Sequence, residues 1–291
     1  MKQKISFIIN PISGTRKKSS WPGIIRKRIN ERRFDIEIFF TERRGHAFEL
    51  ARQQVANKVP YIIAVGGDGT VNEVATALRD TESAMGIIPS GSGNGLARHL
   101  HIPLRLGGAL KVVNAAKTIC IDYGMANGHP FFCTLGTGFD AHVSDVFAHT
   151  KKRGFLKYVS IIGKEFITYR SQEYTLDIDG DKFDTDAMLV TVANSSQYGN
   201  NGYIAPHANI ADGRLDVCIL KPFPKVLASD LAFRLISKTI HKSPYYHTRK
   251  AERIIIKRKT DDPIHLDGDP FEMDETLDIK IVPHGLKVLI K

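Results

Sequence analysis

The front of the chain mixes two hydrophobic periods. Continuous apolar runs at 5–9, 61–65 and 85–88, and a partly alternating run at 34–40, predict strands. Between them, Trp21, Ile24, Ile25 and Ile29 recur at helical spacing, as do Ala47, Leu50, Ala51 and Val55, then Val71, Val74, Ala75 and Leu78. Residues 96–100 read as a further short helix. Strands alternating with helices imply right-handed crossovers and an α/β domain on a doubly wound, mainly parallel sheet. From about residue 120 the period changes. Ile121, Tyr123, Phe131 and Phe132 fall in short strand-like runs, followed by Tyr174, Leu176 and Ile178 and the stretch 189–193. Leu215, Val217 and Ile219, then Ile254 and Ile256, then Leu277, Ile279 and Ile281 continue the series. Asn127-Gly128, Asp179-Gly180, Asp212-Gly213 and His284-Gly285 punctuate it, so a β-rich sandwich or barrel is expected. Helical insertions at 154–170 and 225–241 interrupt that domain. The expected division is an α/β domain over 1–124 and a β-rich domain over 125–285, with a last strand at 286–291 returning to the first.

The polar positions fall where such a sheet binds ligands, beyond the carboxyl ends of its strands. The loops there are Asn10-Pro11-Ile12-Ser13-Gly14, Thr41, Gly66-Gly67-Asp68-Gly69-Thr70 and Pro89-Ser90-Gly91-Ser92-Gly93-Asn94-Gly95. A strand, a glycine turn and a helix N-terminus aim backbone N–H groups at a phosphate, and glycine lets the backbone come close. The blander reading of Asp68 is a helix cap in a tight turn. Neither G-x-G-x-x-G nor G-x-x-x-x-G-K-[ST] is present, so the loops form neither a standard dinucleotide fingerprint nor a Walker loop. Two acidic turns stand out later, Asn209 to Asp216 around Asp212-Gly213, and Leu266-Asp267-Gly268-Asp269. Asp-Gly is a common turn pair, yet one or two carboxylates are also what magnesium takes from a protein.

Composition narrows this only a little. The 291 residues carry 41 Lys and Arg against 31 Asp and Glu, a net charge of +10. Basic residues gather at 16–44, at Lys151-Lys152-Arg153 and at Lys257-Arg258-Lys259. Nucleotide phosphates or an anionic membrane face suit that charge; no finger or aromatic-interleaved motif speaks for nucleic acid. Apolar runs stay far below the ~18 residues of a membrane span, and the start is too short for a signal sequence. Cys120, Cys133 and Cys218 sit in apolar contexts, and the expectation is reduced core thiols in a cytoplasmic protein.

These residues resemble the diacylglycerol kinase catalytic-domain family, which includes bacterial diacylglycerol and other lipid kinases and the sphingosine and ceramide kinases. The resemblance runs through Asn10-Pro11 with Ser13-Gly14, Thr41, Gly66 to Thr70 with Asn72-Glu73, and Pro89 with Gly91-Ser92-Gly93-Asn94. It continues at 154–158, Asp212-Gly213 and Leu266-Asp267-Gly268-Asp269. It implies an NAD-kinase-like first domain that binds ATP through Asn10, Pro11, Ser13, Gly14, Thr41, Gly66, Gly67, Asp68, Gly69, Thr70, Asn72 and Ser92. It implies Mg²⁺ near Asn209, Asp212 and Arg214, Asn209 and Arg214 serving through their backbone carbonyls. Asp269, with Asp267, is implied to receive the proton of a lipid hydroxyl, and Asp68 to organise the phosphates or act as the base. The chain departs from many relatives in carrying Asp269 where they have Glu, and Gly95 where bacterial diacylglycerol kinases often have Asp. Both differences bear on which lipid is accepted.

The expected reaction is ATP-dependent phosphoryl transfer to a primary hydroxyl of a diacylglycerol- or sphingoid-like lipid, in a cleft between the domains. The rivals are an NAD kinase with a similar glycine turn and a non-catalytic nucleotide- or lipid-binding protein. Expected partners are a lipid substrate at the inner membrane face, with peripheral contact and a homodimer left open, and no nucleic acid. Phe155, Tyr158, Val159, Ile162 and Phe166, behind Lys151-Lys152-Arg153, form an apolar stripe suited either to membrane docking or to core packing.

Overall fold

The computed structural model of the chain describes residues 2–14, 18–150, 155–259 and 262–291, and every side chain among them except those of 155–158. Arg16, Lys17, Lys151-Lys152-Arg153 and Gly154 lie outside the described residues, as do the side chains of Phe155 and Tyr158. The chain divides into two compact units, Met1–Ile121 with His284–Lys291, and Asp122–Pro283.

The first unit runs β1 (Gln3–Ile9), α1 (Trp21–Arg28), β2 (Phe34–Phe40), α2 (His46–Ala56), β3 (Tyr61–Gly66), α3 (Asp68–Leu78), β4 (Ala84–Pro89), α4 (Gly95–His99) and α5 (Leu106–Ala115). Its sheet has the order β2-β1-β3-β4 and is completed by the end of the final strand, Thr276–Ile290. All these pairings are parallel. A parallel sheet covered on both faces needs strands that are apolar throughout, and Ile62 to Val65 and Ile87-Ile88 are buried without alternation. Strand order reverses at β1, which lies between β2 and β3, so the loops leaving β1 and β3 flank the switch point where such sheets take ligands. The pattern passed over α5, whose start at Leu106-Gly107-Gly108 carries two poor helix formers.

The second unit begins within β5 (Lys117–Ala126) and continues with β6 (His129–Phe131), β7 (Thr134–Gly138), α6 (Phe139–Ala148), α7 (Phe155–Thr168), β8 (Gln172–Ile178), β9 (Asp181–Ala187) and β10 (Leu189–Ala193). It closes with β11 (Leu215–Leu220), α8 (Ala228–Ile236), β12 (Tyr246–Ala251), β13 (Arg253–Arg258), β14 (Ile264–Leu266), β15 (Asp269–Phe271) and the first part of β16 (Thr276–Ile290). One antiparallel sheet has the order β12-β11-β10-β7-β14-β15, and β9, β8, β13 and β16 form another antiparallel run. Leu176, Ile178, Val190, Val192, Val217, Ile254, Ile256, Leu277 and Ile279 share one core. The fold class is thus the expected one, an α/β unit followed by a β-rich sandwich.

Five strands escaped the pattern, β7, β9, β12, β14 and β15, and two of them show opposite reasons. β7 is Thr-Leu-Gly-Thr-Gly, buried at every position but too glycine-rich to look like a strand. Among the described residues β9 pairs only with β8, and it is mostly polar, as an exposed edge requires. Cys133 and Cys218 are buried, but Cys120 is exposed, a correction to the core expectation. It adjoins buried Ile121 on β5, and successive strand residues face opposite sides. No helix among the described residues is long and apolar enough to cross a membrane.

Leu286, Val288 and Leu289 are fully buried on the returning strand, and Val288 pairs with Met85. Three such side chains are worth about 5 kcal/mol, comparable with the whole stability of a domain. A chain ended after Pro283 is therefore expected to lose its cooperative thermal transition or to aggregate, as read by calorimetry and light scattering; an unshifted Tm would contradict that anchoring role.

Candidate active site

In the first unit the predicted loops are laced together. Asn10 N–H donates to Val65 O at 2.9 Å and Thr41 N–H to Ile9 O at 2.9 Å, so the ends of β1, β2 and β3 are level. Asn10 Nδ2 donates to Thr70 Oγ1 at 3.1 Å, and Ile12 N–H returns to Asn10 Oδ1 at 3.1 Å. Ser13 and Ser90 share a hydroxyl hydrogen bond of 2.8 Å, and Ser90 N–H donates to Gly66 O at 2.7 Å. The glycines are required by proximity: a Cβ at Gly91 would stand 2.6 Å from Gly67 Cα, and one at Gly14, whose φ is +65°, 2.0 Å from Ser90 O.

Asp68 ties the two glycine turns. Its Oδ1 accepts the N–H of Gly95 at 2.7 Å and its Oδ2 that of Asn94 at 2.8 Å. Asn94 then closes its own turn, accepting from Gly91 N–H at 2.9 Å and donating to Gly91 O at 2.8 Å. The N-cap of α3 is Gly67, which offers no side-chain cap, so the helix end keeps its field for an anion. Glu73, beside Asn72, accepts from Gly45 N–H at 2.8 Å and Ala47 N–H at 3.0 Å and so caps α2 next to Thr41. Gly69 and Ser92 are exposed at the rim, and Pro11 lies between Asn10 and the exposed Ile12. Lys18, one of the basic residues of the 16–44 run, is buried, its ammonium on Ser13 O and over the Trp21 ring; burial lowers its pKa.

In the second unit the two acidic turns differ. Asp267, at φ 52°, receives the N–H groups of Phe132 at 3.0 Å, Cys133 at 2.7 Å and Thr134 at 3.1 Å. Asp269 is exposed at the start of β15. Asp212 Oδ1 accepts Arg214 N–H at 3.2 Å, its Oδ2 meets the Lys250 ammonium, and Asn209 Oδ1 accepts Ala211 N–H at 3.1 Å. Asp122 Oδ2 accepts Gly213 N–H at 2.7 Å, and nearby Asp216 is pushed up to about 6, chiefly by burial. Among the described residues no three His, Cys, Asp or Glu side chains gather into a cage. Mg²⁺ takes one or two carboxylates and keeps most of its waters, and the Asp212 carboxylate is of that kind, though here it is paired with the Lys250 ammonium that a metal ion would displace.

Asn194, which the sequence reading did not single out, joins these turns. Its Nδ2 donates at 2.9 Å to both Asp122 O and Phe132 O, linking the Gly213 turn to the amides that hold Asp267. Its one sequence signal is a polar stop directly after the buried run of β10. His265 was missed too. Its Nε2 lies 3.2 Å from Asp140 Oδ2, which also accepts from Thr191 Oγ1 at 2.7 Å and Tyr198 OH at 2.9 Å, while Gly268 N–H approaches Nδ1 at 3.4 Å. The Leu266 to Asp269 turn therefore rests on a buried polar network beneath it.

Comparison with known proteins agrees with this architecture. Residues 4–126 match the model described as the diacylglycerol kinase catalytic domain. Residues 133–290 match the YegS C-terminal NAD kinase beta sandwich-like domain. The chain belongs to this family of lipid kinases. It is 26% identical over 285 residues to a protein of Staphylococcus saprophyticus named diacylglycerol kinase, covering 92% of this chain and 90% of the relative. It is 27% identical over 269 residues to a Yersinia pestis protein named "Probable lipid kinase YegS-like", covering 90% and 89%. Two solved chains from Bacillus anthracis str. Sterne, the second described as a diacylglycerol kinase, share the fold with TM-scores of 0.81 and 0.77. They are 22% and 21% identical, and each alignment covers 99% of this chain and 95% and 97% of those.

Replacing Asp267 by Ala orphans three amides in a buried stretch. The expected cost is about 3 kcal/mol or more, seen as a lowered Tm, whereas Asp269→Ala should stay within about 0.5 kcal/mol. Equal losses for both would contradict the division between them.

Proposed function

We propose that the chain transfers the γ-phosphoryl group of ATP to a primary hydroxyl of a diacylglycerol- or sphingoid-like lipid. The observation that carries this reading is the lacing of the glycine loops by Asp68 at the switch point of a parallel sheet, which leaves backbone amides and a helix end for a triphosphate. Asn10, Pro11, Ser13, Gly14, Thr41, Gly66 to Thr70, Asn72 and Ser92 line that cradle, and Asp68 keeps it in shape. Asp212, with the backbone carbonyls of Asn209 and Arg214, would hold Mg²⁺, which when bound supplies charge neutralisation between phosphates. Asp267 is spent on its three amides and fixes the turn, so the lipid hydroxyl proton goes to a carboxylate oxygen of Asp269. A carboxylate is a weak base for an alcohol, but a loose transition state asks mainly for orientation and charge stabilisation. Family membership supports the kinase class and a lipid acceptor.

The test is transfer of labelled γ-phosphate into a mixed lipid extract with product identification, run beside an assay with NAD. Labelled lipid is expected, and phosphorylation of NAD alone, or of nothing, would overturn the reading. Asp269→Asn should lower kcat on the order of 10²-fold at unchanged KM for ATP. Asp68→Asn, which turns an N–H donor toward Asn94 or Gly95, should raise the KM for ATP about tenfold or more. If the two variants show the same split, the assigned roles are wrong.

A further inference from the structure

Helix α8 is apolar on two opposite faces. Leu231 is buried and Leu235 half-buried against Leu189, Cys218, Ile240 and Tyr246, which accounts for the inner face. The outer face carries Phe233 at 67% and Ile236 at 65% exposure, three residues apart, and the single turn entering the helix, Lys225–Leu227, adds Val226 at 83%. Single exposed apolar side chains are ordinary, but a surface helix with a second, outward apolar face wants a cover. The patch extends to Ile167, 66% exposed near the end of α7, because the Lys225 ammonium donates to Ile167 O and Phe166 stacks on Phe223 at 5.6 Å. That stacking makes Phe166 a packing residue, so the stripe on α7 is partly core and the exposed apolar surface lies largely on α8.

Charge selects the cover. Between residues 221 and 242 stand Lys221, Lys225, Arg234, Lys238 and Lys242, against Asp230 alone, which Arg234 holds at 2.6 Å. The four lysines are exposed. A second copy seated face to face would oppose these cations to one another, whereas anionic headgroups attract them. We propose that the outer face of α8, with Val226 and Ile167, docks the chain on an anionic lipid surface, its apolar side chains entering the headgroup boundary and its lysines meeting phosphates. The proposal takes its purpose from the lipid-kinase reading, but its test reads no turnover.

The full chain is co-sedimented with vesicles of phosphatidylcholine alone and with added phosphatidylglycerol, at low and high salt. Binding to the anionic vesicles that weakens with salt is expected. It should fall about tenfold or more in Phe233→Ser/Ile236→Ser and, separately, in Lys238→Gln/Lys242→Gln, with unchanged circular dichroism and Tm. Native-like binding by both variants overturns the proposal, as does a dimer in sedimentation equilibrium that Phe233→Ser/Ile236→Ser dissolves. Vesicle binding without phosphorylation of any lipid would count against the kinase reading alone. Turnover of detergent-dispersed lipid without vesicle binding would count against the docking face alone.

Discussion

One carboxylate holds the rim of the first unit in shape. Asp68 takes an amide on each oxygen, from Asn94 and Gly95, and so draws two glycine turns to where Gly67 and Gly91 have no room for a side chain. Charge-assisted hydrogen bonds of this kind are worth about 2 kcal/mol each, which offsets the entropy of fixing glycine-rich backbone. Without that tie the loops of β3 and β4 would be ordinary mobile turns. With it they stand as fixed turns beside the N-terminal end of α3, the setting the proposed triphosphate cradle requires.

The second unit uses the same device on a smaller scale. Asp267 sits in a nest of three amides, and Asn194 fastens those amides to Asp122 and through it to the Gly213 turn. A carboxylate so placed is a support, and it leaves the neighbouring Asp269 exposed at the head of β15. Half-buried Asp140 and buried His265 lie under the same turn, and His265 Nδ1 meets the Gly268 N–H from below. In both units an aspartate in a glycine turn spends its charge on backbone amides.

The fold class was legible because both hydrophobic periods are clean: β2 falls at the predicted 34–40, and β1, β3 and β4 extend the predicted runs by at most two residues. The glycine turns were legible as a set because all leave strands of one parallel sheet. Hidden elements obeyed local rules the pattern does not encode, such as the buried glycine-rich β7 and the polar edge β9. Asn194 and His265 were invisible for another reason. A lone buried amide or imidazole acquires its role from residues 62 and 125 positions away, Phe132 and Asp140, and no spacing rule reaches that far. The exposed Phe233 and Ile236 show the converse: large apolar residues on a helix read in sequence as core, and only their burial reveals an unpartnered face.

The claim that the Asp68-bound turns form a triphosphate cradle is best tested by amide hydrogen exchange on the full chain, with and without a non-hydrolysable ATP analogue and Mg²⁺. Slowed exchange is predicted together in the amides of 12–14, 66–70 and 91–95. Protection confined to other segments, or none at saturating analogue, would contradict it.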